Sequence, residues 1–144
     1  MNDHQKALKS LADTTFDSVK GYKMASEKAN SPQLKQALAQ CAQQREQTLG
    51  QLNAELTRQG VEQVDGTVLG SAHQMFASVV GAFENGDENA VERVNEGEDY
   101  LAKKFQSALD DDDLDPQSRQ VVQTAYQDIQ AGERMSDQLK KQFD

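Results

Sequence analysis

The sequence predicts an all-α protein built as a four-helix bundle with one long crossover connection. Three observations carry that prediction. The composition is helix-forming, dominated by Ala, Gln, Leu, Glu, Asp and Lys, with two prolines, no Trp and 6% aromatics in 144 residues. Apolar residues recur at three- and four-residue steps over four long stretches, the period of a helix with one buried face. Both prolines follow a good N-cap residue, Ser31-Pro32 and Asp115-Pro116, and so mark helix starts rather than breaks.

The first helix is expected from about Asp3 to Ala29, with Leu8, Leu11, Thr15, Val19, Tyr22 and Ser26 inward. Asn30-Ser31-Pro32 ends it and opens the second, whose stripe is Leu34, Leu38, Cys41, Leu49, Leu52 and Leu56. Between Cys41 and Leu52 the inward register passes through Arg45 and Thr48, which puts a charge on a core stripe. Gly60 is a natural stop, because glycine tolerates the left-handed conformation that closes a helix. Val61 to Gly66 reads as a loop. A shorter helix from about Thr67 carries Leu69, Ala72, Phe76, Val79, Val80 and Phe83, with His73 beside that face, and breaks at Asn85-Gly86.

Asp87 is expected to cap the next helix, which runs to Leu109 with Val91, Val94, Leu101 and Phe105 on its stripe. The same step from Val94 lands on Glu98, a carboxylate in the middle of the buried face. The last helix shows Val122, Ala125, Ile129, Gly132, Ser136, Leu139 and Phe143.

Helices of about 24 to 28 residues reach roughly 40 Å, a matched set for a bundle. Short links make the first pair antiparallel, and the last pair likewise. The short helix between the pairs, about 17 residues or roughly 25 Å, can carry the chain along the bundle and back to the same end. The helices at Leu34–Gln59 and Asp87–Leu109 then run parallel, which is the ferritin-like four-helix bundle with a short helix in the crossover. A five-helix up-down array is the competing arrangement. One domain spanning 1–144 is expected.

The net charge of −9 argues against nucleic acid and against anionic membrane as partners, since both would be repelled. No apolar run is long enough for a membrane span and no signal-peptide core is visible, so a cytoplasmic protein is expected. The single cysteine, Cys41, falls on a core stripe and reads as an inert buried thiol.

A ferritin-like di-iron site takes a Glu from two helices and Glu-x-x-His from the other two, a spacing that puts both ligands on one helix face. Only His4 and His73 are present, and neither follows a Glu by three residues. The standard site is therefore absent, and no cofactor is expected. What remains at mid-bundle is Arg45 and Glu98, a buried polar pair if the two helices are neighbours. A forked guanidinium suits a carboxylate, so the pair reads as a structural ion pair that sets helix register. The alternatives are a surviving anion or metal site of Glu98 with His73 or Asp99, or an Arg45 that snorkels outward. The acidic run from Asp110 to Asp115 lacks the central Gly and terminal Glu of a calcium loop. It reads as a solvated loop that favours the following helix N-terminus.

These residues carry a resemblance. Asp17 with Gly21-Tyr22, then Gln43-Gln44-Arg45, His73 and above all Gly97-Glu98-Asp99 resemble a bacterial ferritin-like four-helix-bundle family catalogued as a domain of unknown function. The resemblance covers nearly the whole length. Where that family has Glu-Arg before the Gly-Glu-Asp motif, this chain has Asn95-Glu96; where it has a His-Asp pair in the last helix, this chain has Gly132-Glu133. His73 is followed by Gln74 rather than Arg. The resemblance implies a ferritin-like fold and no established activity. The expectation is a non-enzymatic structural or interaction protein, paired as a homodimer through Val68 and Met75 of its crossover helix, with a stress-associated role implied by the resemblance alone. The other class is a degenerate metal-binding or redox protein using Glu98, Asp99 and His73.

Overall fold

The computed structural model describes residues 1–64, 81–111 and 114–143. Among them are four long helices: α1 (Asp3–Lys28), α2 (Pro32–Arg58), α3 (Asp87–Asp110) and α4 (Pro116–Phe143). A 3-10 turn at Phe83–Asn85 precedes α3. Most of the expected short helix, including His73, Val68 and Met75, lies outside the described residues.

The caps are written in the sequence. Asn2 and Gln5 form a reciprocal capping box on α1. The Ser31 hydroxyl accepts the Leu34 amide, with Pro32 in the first turn of α2. At the other end of α2, Gly60 has φ 75°, its amide bonds Thr57 O, and the Val61 amide reaches back to Leu56 O. That paired return is the Schellman closure that glycine permits. Asp115 caps α4 by accepting the Ser118 amide at 2.8 Å.

The start of α3 departs from expectation. Asp87 does not cap it. Gly86 takes the N-cap position at φ 106° and ψ 163°, a conformation open almost only to glycine, with no side-chain cap bond. The Asp87 carboxylate instead accepts the backbone amides of Asn30 (3.0 Å) and Ser31 (2.8 Å). It thus ties the beginning of α3 to the link before α2.

These contacts set the topology. Asp87 places the N-terminal ends of α2 and α3 at one end of the bundle. At the opposite end Gln5 donates to Gln59 O, and Gln59 reaches Ser118. So α2 and α3 run the same way, while α1 and α4 run against them. The strongest packing is α1 on α2 and α3 on α4, followed by α2 on α4 and α1 on α3. Each of these neighbours is antiparallel. The parallel helices α2 and α3 stand across the diagonal of the bundle rather than side by side. The connection from 60 to 86 begins with Val64 buried at one end and finishes with Phe83 buried at the other.

The core falls into two apolar clusters. Leu8, Leu11, Leu52, Leu56, Leu101, Phe105, Val122 and Ile129 fill the end where α1 and α4 begin. Tyr22, Leu34, Leu38, Cys41, Val91, Val94 and Leu139 fill the other. Between them lies a belt of buried polar residues that includes Ser18, Arg45, Thr48 and Glu98.

Candidate functional site

The belt is centred on Arg45 and Glu98, delivered by the facing stripes of α2 and α3. Arg45 is 3% exposed and Glu98 0%. The guanidinium meets the carboxylate as a fork: Nη1 donates to Oε1 at 2.9 Å and Nη2 to Oε2 at 2.6 Å. Nη1 also donates to Ser18 Oγ at 2.5 Å. The Tyr22 ring lies 5.5 Å from the guanidinium carbon, a distance at which the ring face attracts a cation. Burial works against the Arg45 charge, but the Glu98 carboxylate outweighs it and holds that pKa above its ordinary value.

The fourth helix contributes by omission. A Cβ at Gly132 would sit 2.6 Å from Glu98 Oε2 and 2.7 Å from Arg45 Nη2. Glycine there lets the ion pair lie directly against the α4 backbone.

The Tyr22 hydroxyl has no hydrogen-bond partner at ordinary geometry, although the residue is buried. It is close enough to Glu98 for burial first, and that carboxylate second, to push its pKa well above the usual phenol range. Cys41 borders the same belt and touches Met135, Sγ to Sδ 3.2 Å. Burial, then the Glu98 charge, raises its thiol to about 11. Such a thiol is protonated at neutral pH and a poor nucleophile.

The other sequence-derived candidates are elsewhere. Asp99 is half-exposed on the flank of α3 and pairs with Lys103, one turn on, at 2.9 Å. Consecutive helical residues point about 100° apart, so Asp99 does not share the interior with Glu98. Beside it, Glu133 on α4 is pushed upward by partial burial first and then by Asp99 and Asp137. His73 lies outside the described residues. Among the described residues, no cluster of three or more His, Cys, Asp or Glu side chains could hold a metal ion.

Sequence reasoning did not find Ser18, the Gly132 contact or a second buried polar knot. In that knot Arg58 grips Glu55 by a fork at 2.6 Å on each arm, Ser118 Oγ donates to Glu55 Oε2 at 2.7 Å, and Gln59 adds a bond at 3.3 Å. A small residue on the α4 stripe, level with two large charges, was the available signal for Gly132. For Glu55 the signal was its place between Leu52 and Leu56, with Arg58 three residues on.

A family model described as a domain of unknown function, DUF2383, matches residues 3–111. The chain belongs to that family. The DUF2383 match spans α1 to α3, with Arg45, Glu98 and Ser18 inside it, and stops before α4. It is therefore shorter than the nearly full-length resemblance read from the motifs. No curated protein and no solved structure matches the chain. Among the described residues, no helix is long and apolar enough to cross a membrane.

Proposed function

We propose that this DUF2383 chain is a ferritin-like bundle with a structural or interaction role, in which a guanidinium stands where such bundles hold metal. The observation that carries this reading is the fork between Arg45 and Glu98. Both carboxylate oxygens are engaged by one cation that is part of the chain. The common direction of α2 and α3, with Val64 and Phe83 buried at opposite ends of the bundle, supports the ferritin-like assignment.

The donor set does not fit a di-iron centre. A divalent ion at Glu98 would have to displace a bidentate, buried guanidinium. Its neighbours would be a hydroxyl, a phenol and a protonated thiol, against the several carboxylates and imidazoles such ions need. A stress-associated role is the biological setting suggested by the family resemblance.

The test is metal analysis of protein purified without chelators and then dialysed against Fe(II), Mn(II) or Zn(II). Well under one metal per chain is expected for each. Stoichiometric metal that is retained on dialysis and lost in Glu98→Gln would overturn the reading in favour of a metal or redox protein.

A further inference from the structure

The groups that touch the Arg45 head come from the other three helices. α1 supplies the Ser18 hydroxyl and the Tyr22 ring, α3 supplies both Glu98 oxygens, and α4 supplies the open backbone at Gly132. α2 contributes the side chain that fills the space and, one turn before it, the Cys41 thiol. The Tyr22 hydroxyl, on a residue 4% exposed and close to Glu98, is a further oxygen at the same place.

We propose that α1, α3 and α4 form a binding site for a planar guanidinium-type cation, for which Arg45 is a tethered ligand. Cutting the tether should leave a pocket that takes the same cation from solution. The chemistry selects that class. A carboxylate presented edge-on matches the fork of a guanidinium, an aromatic face accepts a flat and weakly hydrated cation, and the missing Cβ leaves room for its plane. One carboxylate and two hydroxyls are a poor substitute for the shell a divalent metal requires. The inference does not depend on the ferritin-like assignment.

The experiment uses Arg45→Ala in the full chain, with thermal unfolding followed by circular dichroism at constant ionic strength. Guanidinium chloride is added to about 50 mM, far below the molar range in which it denatures. A saturable rise in Tm of about 3 °C or more is expected for Arg45→Ala, as for any ligand that binds only the folded state. Methylguanidinium should act at least as well, since its methyl group occupies the space of the severed stem. Wild type and Arg45→Ala with Glu98→Gln should show no rise. A folded Arg45→Ala that does not respond overturns the proposal, as does an equal response in the double variant. A larger stabilisation by Mn(II) or Zn(II) at the same concentration would also overturn it, because the site would then be a metal site. Should Arg45→Ala be unfolded in buffer, the same titration reads recovery of helicity, and no recovery at any concentration counts against the proposal.

Discussion

Arg45 and Glu98 are each costly inside a protein and tolerable only together. Removing water from either charge costs several kcal/mol, and the fork offsets this only while both partners remain. Arg45→Met or Glu98→Leu alone should each destabilise by about 3–5 kcal/mol, because each leaves the other charge stranded. The double replacement should recover much of that loss, and a chemical-denaturation cycle over the four proteins measures the coupling. Additive losses, each under about 1 kcal/mol, would contradict the buried geometry. Gly132→Ala tests the same site from its fourth wall. Alanine favours a helix interior by up to about 1 kcal/mol over glycine, so on propensity alone the variant would gain. The clash should win, since the atoms met at 2.6 and 2.7 Å belong to a pinned pair and not to a free side-chain end. A net loss of about 1–3 kcal/mol is expected by the same measurement. Both charges were legible in the sequence, since helical steps from Val94 and from Cys41 land on them. Ser18 and the Tyr22 hydroxyl were not, because periodicity gives a face and not the partner across it.

At the level of the helix, ends matter more than middles. The knot where α2 meets α4 holds the Glu55 carboxyl at about 2, against an ordinary 4.5, chiefly through the Arg58 bond and despite its burial. A pKa depressed in the folded state stabilises above the unfolded value and is lost as pH falls through the folded one. The window is therefore about pH 4.5 down to about 2, and the contribution at neutral pH, reduced by the solvent around the half-exposed Arg58, is on the order of 1–2 kcal/mol. Glu55→Gln should lower stability at pH 7 and flatten its fall across that window, as read by urea unfolding at several pH values. A Glu55→Gln protein with the wild-type slope would exclude this knot as a source of acid lability. At the other end, Asp87→Ala removes the acceptor for two amides and should cost about 1–2 kcal/mol. Asp87→Asn keeps one oxygen and should lose less. The caps at Ser31, Gly60 and Asp115 were readable because each acts on its own helix. Asp87 was misread because its carboxylate serves residues more than fifty positions away, and local cap rules carry no such information.

Across the whole molecule, the four long helices and their inward stripes follow from spacing alone, since burial of one face is what the spacing encodes. The antiparallel pairs follow from link length. The diagonal relation of α2 and α3 does not, because a helix stripe says that it faces the interior and not which of three other helices it meets there. The polar belt has a further consequence, for cooperativity. It divides the apolar interior into two clusters, so each end of the bundle has its own reservoir of buried surface. Such halves can open separately unless something links their fates. The Arg45–Glu98 fork lies between them and touches α1 and α4 as well. Native-state hydrogen exchange should therefore show amides near Leu38 and Val91 opening together with those near Leu52 and Phe105 in the wild type. In Arg45→Ala the two groups should separate into units of unequal stability. In the Met–Leu double variant they should merge again, because the belt becomes continuous hydrocarbon. Two groups that already exchange independently in the wild type would show instead that the bundle behaves as two short bundles end to end, and that the ion pair joins nothing.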